Sequence, residues 1–155
     1  MTKFKTTTFY KWLKETAIEI PMLQRDYAQG RDDSKTKELR KNFVSDLLKA
    51  IKRETEDEKR HLDFIYGPES DGTFQPLDGQ QRLTTLFLIH WYLAAKAGRL
   101  PEAKEVLEKF RYKVRVSTQE FITALLIPDN APCKELSKKN LTDAKWYFSS
   151  WDYDP

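Results

Sequence analysis

Between Leu83 and Ala95 the chain has no residue that is charged at neutral pH, and apolar side chains fall on every side of a helical projection. That spacing predicts a helix from Gly79 to about Lys96, buried all round and therefore central to whatever domain forms. The longest apolar stretch, Leu83 to Ala97, contains His90 and Lys96 and falls short of the length that spans a bilayer, so no membrane partner is expected. A chain of 155 residues is about one domain in size, and a second full domain is not expected beside this helix.

Flanking patterns supply the layers around it. Phe9 to Ala17 reads as a short amphipathic helix, and Ile18–Ile20 alternates like a strand that stops at Pro21. Asp33 or Ser34 can cap a further helix whose apolar positions Leu39, Phe43, Leu47 and Ile51 recur every four residues. The charged run 52–61 predicts a frayed helix end and a solvated linker. Leu62–Tyr66 and Thr73–Leu77 read as the two strands of a hairpin, with Glu69–Gly72 as the turn.

After the central helix, Gly98 is a stop signal and Pro101 opens a short helix to about Phe110. Tyr112–Val116 alternates as a strand would, and Ser117-Thr-Gln-Glu120 predicts a capping box at the start of another helix. A last helix is expected from about Leu141 through Trp146, Tyr147 and Phe148. The fold class is α+β: a small mixed sheet, a central buried helix and surrounding helices. The aromatic cluster before an abrupt Asp-Pro terminus reads as an excerpt from a longer protein, because such rings need something to pack on.

Composition narrows the function classes. A net charge of +3 is too small to declare a nucleic-acid binder on electrostatics alone, although local basic patches remain open. Cys133 is the only cysteine, which excludes a disulfide framework or a cysteine zinc site and points to a reducing, cytoplasmic setting. His61 and His90 are the only histidines, and His90 in the central helix reads as a satisfied core residue. Neither a His-Asn-His constellation, an H-E-x-x-H helix nor a Walker-type phosphate loop is present.

One motif concentrates the chemistry. Gln75 to Leu86, QPLDGQQRLTTL, describes a strand, a turn and the start of the central helix. The first amides of a helix have no acceptors within it and the helix dipole adds positive charge, so an anion suits that position. Gly79 permits close approach, Gln80 and Gln81 add amide donors, and Arg82 adds a planar fork for two phosphate oxygens. Asp78 and Gln81, three apart, also fit a capping box with Arg82 on the surface. Against that reading, a cation at a helix N-terminus is opposed by the dipole unless an anion lies beside it. Two further strand-end segments, Gln24-Arg25-Asp26-Tyr27 and Arg115-Val-Ser117, carry groups able to grip phosphate, and each also reads as an ordinary loop or cap. Asp32-Asp33 could meet magnesium, but a helix start explains the pair as well.

Gln24-Arg25 after Ile20-Pro21, followed by Leu77-Asp-Gly-Gln-Gln-Arg-Leu-Thr-Thr-Leu86, resembles the N-terminal domain of GmrSD-type restriction endonucleases, a family similar to the ParB/sulfiredoxin fold. Tyr112 to Phe121 is similar to the family's Tyr-x-x-Arg-x-Ser segment, and Trp151 to Pro155 to the run leading into its helical part. The resemblance implies defence against modified phage DNA, nucleotide binding and hydrolysis in this domain, and DNA cleavage by a separate nuclease domain or subunit that this chain lacks. Carried over by position, Asp78, Gln80, Gln81 and Arg82 would be catalytic. Gln24, Arg25, Gly79, Thr84, Thr85 and Arg115 would bind the nucleoside triphosphate, and Asp78 would meet a magnesium ion. The family commonly has an aromatic residue before Gln-Arg and a Trp two after the Tyr. Leu23 and Gln29 stand there instead, leaving contacts made by those aromatics without their usual residues.

The resulting expectation is a nucleoside triphosphatase domain regulating a nuclease, with Arg82→Ala removing turnover and leaving thermal unfolding nearly unchanged. The alternative is a ParB-like module that grips DNA phosphates or a modified base without hydrolysis, with Arg31 to Lys52 tracking the backbone.

Overall fold

The computed structural model describes residues 6–21, 33–52, 62, 64–113, 116–131 and 137–153. Helix α1 (Phe9–Glu15) leads into strand β1 (Ala17–Ile20), and helix α2 (Ser34–Lys52) follows. Strands β2 (Glu69–Ser70) and β3 (Thr73–Phe74) form a hairpin, then come helices α3 (Gln80–Lys96) and α4 (Leu100–Leu107). Strand β4 (Phe110–Tyr112) and helices α5 (Val116–Leu125) and α6 (Lys138–Thr142) complete the regular elements, with short 3-10 turns at Pro128–Asn130 and Ser149–Tyr153. The architecture is α+β, as the patterning predicts.

The sheet runs β2-β3-β1-β4. β1 pairs in parallel with both β3 and β4, and only β2 is antiparallel to its neighbour. Ile18 and Ile20 turn into the core, while Ala17 and Glu19 lie on the other face. Against the core face pack Phe9 and Leu13 of α1, Leu83, Phe87 and Trp91 of α3, and Leu100 and Leu107 of α4. Phe87 stacks on Phe110 at 5.0 Å between ring centroids. Each such fully buried side chain contributes roughly 1.5–3 kcal/mol.

Helix boundaries follow their local chemistry. The Asp33 carboxylate caps α2, accepting from the Thr36 amide at 2.9 Å and the Thr36 hydroxyl at 2.7 Å. Gly98 closes α3 in a Schellman pattern, with Gly98 N donating to Ala95 O at 3.1 Å and Arg99 N to Ala94 O at 2.8 Å.

Several boundaries differ from the sequence expectation. Helix α3 is not buried all round: Gln80, Leu83, Thr84, Phe87 and Trp91 form its core face, while Tyr92 is 39% and Leu93 53% exposed. Lack of charge marked the helix but not the width of its buried stripe. The hairpin strand lies at Glu69–Ser70, inside the predicted turn, because Asp71 and Gly72 form a two-residue reversal with positive φ of 51° and 70°. Residues 62–66 form no strand among those described, although the ribbon continues through Gln75 N to Pro68 O and Leu77 N to Tyr66 O, both 2.9 Å. Proline at 68 has no amide to extend the ladder.

Strand β4 comes earlier than Tyr112–Val116, because burial of Phe110 and its pairing with Ile18 set the register. Val116 is already helical, so Ser117 lies inside α5 instead of capping it. Glu120 accepts from Trp151 Nε1 at 3.3 Å, outside any capping box. The final helix is also shorter than predicted. Ser137 caps it, and Trp146, Tyr147 and Phe148 follow it as a cluster around Phe121 and Trp151. The rings pack on one another and on Phe121, with Phe148 left 63% exposed.

In that cluster Tyr147 donates to Asp152 Oδ1 at 2.7 Å. Burial first, then this hydrogen bond and the nearby charge, push its hydroxyl up from 10.0 to about 12. Its contribution to stability is therefore complete below the ordinary tyrosine range and lost as pH rises toward 12. A difference titration against Tyr147→Phe should show one tyrosine midpoint well above the usual value, brought down by Asp152→Asn. An ordinary midpoint in the wild type would contradict this.

Candidate functional site

Because β3, β1 and β4 are parallel, their carboxyl ends leave the same edge of the sheet. Ligand crevices in parallel sheets form outside such ends. Each segment singled out in the sequence follows one of these strands: Gln24-Arg25 follows β1, Asp78–Arg82 follows β3, and Arg115 follows β4. Gln24, Arg25 and Arg115 themselves lie outside the described residues, as do Leu23, Gln29, Asp32, His61 and Cys133. The exits are tied together through Glu19, whose Oε1 accepts from Gln75 Nε2 at 2.9 Å and lies 3.8 Å from Lys113 Nζ.

The turn into α3 is built on Gly79, a left-handed N-cap with φ of 80° and no side-chain cap bond. The expected Asp78 capping box therefore does not form: the N-cap falls one residue later, at Gly79, where the chain reverses at a position that only glycine occupies without strain. Leu83 N donates to Gly79 O at 2.9 Å. Gln80 is only 8% exposed, and its Nε2 donates back to Pro76 O at 2.8 Å. Gln81 is half-buried. Thr84 and Thr85 donate their hydroxyls to the carbonyls of Gln80 and Gln81, at 3.0 and 2.9 Å. Thr84 is buried, so it braces the turn from behind and does not face outward.

Arg82 is held from two sides. Its Nη2 lies 3.3 Å from Asp78 Oδ2 and donates to Phe64 O at 3.1 Å, while Nη1 donates to Leu62 O at 3.4 Å. These acceptors offset the unfavourable position of a cation at a helix start. Residues 64–66 thus form a strap over the motif: Tyr66 O accepts from Leu77 N and Asp78 N, and a Cβ at Gly79 would come within 2.8 Å of Ile65 Cγ1. The guanidinium side of the Asp78–Arg82 pair is 22% exposed and the carboxylate side 59%. No sequence pattern pointed to the strap, which acts largely through main-chain carbonyls.

A family model described as the GmrSD restriction endonuclease, N-terminal domain, matches residues 9–151. The chain belongs to this family. The matched span of the GmrSD N-terminal domain runs from the first residue of α1 to Trp151 in the aromatic cluster, and so includes every strand of the sheet. Membership makes the chain part of a restriction endonuclease system. No curated protein and no solved structure matches the chain.

Among the described residues, the GmrSD domain has no helix long and apolar enough to cross a membrane, and no group of three or more His, Cys, Asp or Glu able to hold a metal. His90 is satisfied, its Nδ1 lying 2.7 Å from Leu86 O and its ring stacked on Tyr10.

Proposed function

We propose that this domain binds a nucleoside triphosphate at the Asp78–Arg82 turn and hydrolyses it, and that turnover regulates a nuclease domain or subunit of the same restriction system. The convergence of three parallel strand ends on one edge carries this reading, since the motif and both supporting segments follow those strands. A phosphate would take over the guanidinium of Arg82 from the largely exposed Asp78 carboxylate. Arg82 and the first-turn amides would then stabilise charge on the transferred phosphoryl group, the principal contribution in such chemistry.

Of the two glutamines, Gln81 is the one to orient water, because Gln80 is buried and tied to Pro76. Magnesium fits as part of the substrate: such ions use one or two carboxylates together with phosphate oxygens, and Asp78 offers one carboxylate where clusters of three acidic or histidine ligands are lacking among the described residues. It would neutralise phosphate charge there.

The four nucleoside triphosphates, tested with and without magnesium for thermal stabilisation and phosphate release, decide the matter. At least one should raise the melting temperature and be hydrolysed. If all four leave the protein unstabilised and intact, the reading fails.

A second reading has one observation in its favour. Helix α2 carries Lys35, Lys37, Arg40, Lys41, Lys49 and Lys52 against Glu38 and Asp46, and none of its residues is buried. Salt-dependent DNA binding without phosphate release would favour a DNA-gripping module.

A further inference from the structure

Thr84 and Tyr112 meet in the core directly behind the motif. Their hydroxyl oxygens are 2.7 Å apart, joining α3 to β4 across 28 residues of sequence. Thr84 Oγ1 also lies 3.0 Å from the Gln80 carbonyl, which can only accept. The single Thr84 proton therefore goes to Gln80, and Tyr112 must donate to Thr84. Tyr112 is itself fixed: its amide donates to Gln119 Oε1 at 2.7 Å, and its ring meets Phe110 edge-on at 5.9 Å. A directed chain thus runs from β4 and α5 through two buried hydroxyls to the main-chain oxygen of Gln80, the residue after the motif glycine. On the opposite side the Gln80 side chain holds Pro76 O.

We infer that Tyr112 and Thr84 form a positioning relay that fixes the first turn of α3, so that the carboxyl end of β4 at Tyr112 and the motif turn keep one geometry. Neither side chain faces outward, so both act through Gln80 and neither touches the phosphate. A hydroxyl pair in this place is a costly choice if packing were its only purpose, because phenylalanine and valine would fill the same volume without polar groups to satisfy. The inference rests on the proposed nucleotide reading for its catalytic consequence. Its structural half stands apart from that reading.

The test uses the full chain as Tyr112→Phe and Thr84→Val, with Thr84→Ser as the conservative variant. Amide hydrogen exchange across residues 80–84 reads the turn without any nucleotide. Exchange there should accelerate about fivefold or more in Tyr112→Phe and Thr84→Val, and stay near wild type in Thr84→Ser. With the triphosphate that the wild type hydrolyses, kcat should fall about tenfold while KM changes less than about twofold, and Thr84→Ser should retain most of the activity.

Unchanged exchange overturns the relay, whatever the activity. Faster exchange with unchanged kcat reduces the pair to fold support and equally overturns it. A wild type that hydrolyses nothing sinks the nucleotide reading alone, and the exchange result then decides the relay by itself.

Discussion

Arg82→Ala should reduce triphosphate turnover by about a hundredfold or more, the scale seen when a preorganised donor to developing charge is removed. Arg82→Lys should recover only a minor part, because a point charge cannot reproduce the planar fork. The geometry changes one part of the sequence expectation. Arg82 holds Phe64 O at 3.1 Å and Leu62 O at 3.4 Å besides Asp78, so truncation also releases the strap. A stability loss of about 1–2 kcal/mol should accompany the activity loss, in place of an unchanged melting temperature. Turnover near wild type in folded Arg82→Ala, measured at a temperature well below its midpoint, would remove Arg82 from the mechanism.

Gly67→Ala should be the most damaging single-methyl addition in the hairpin region. A Cβ at this position would run into the Gln75 carbonyl, with the Gln75 carbon at 2.9 Å and Pro76 Cα at 3.0 Å. All three are main-chain atoms, so no rotamer change relieves the overlap. The ribbon must part where Leu77 N and Asp78 N meet Tyr66 O, one residue before the motif glycine. A loss of about 3 kcal/mol or more is expected, with nucleotide-induced stabilisation weakened in parallel. Gly72→Ala is the comparison for the same hairpin: a Cβ there meets nothing within 4 Å, so only the positive φ of 70° opposes it and the loss should be the smaller, about 1 kcal/mol. Equal melting temperatures for Gly67→Ala and wild type would show that the ribbon is not packed as described.

The parts of the fold legible in the sequence were those fixed by local chemistry. Helix α3 declared itself through an uncharged run bounded by Asp78-Gly79 and Gly98, and β1 through the alternation around Glu19. Phe110 reads as a helix end in the sequence because its strand character comes from Ile18 and Phe87, partners far away in the chain. The site divided along the same line. The strand-turn-helix placement of Asp78–Arg82 followed from glycine and helix-start signals. The partners of Arg82 and Thr84 did not, since Leu62, Phe64 and Tyr112 lie 18 to 28 residues away and a carbonyl leaves no mark on side-chain identity.

The clasp on Arg82 is made to peptide oxygens at 62 and 64, with the Phe64 side chain 73% exposed. Replacing those two side chains one at a time should leave the grip on the guanidinium intact, so an alanine scan would pass over the segment in silence. An ester in place of the peptide unit supplying the Phe64 oxygen, which weakens the acceptor and alters no side chain, is the substitution able to feel it.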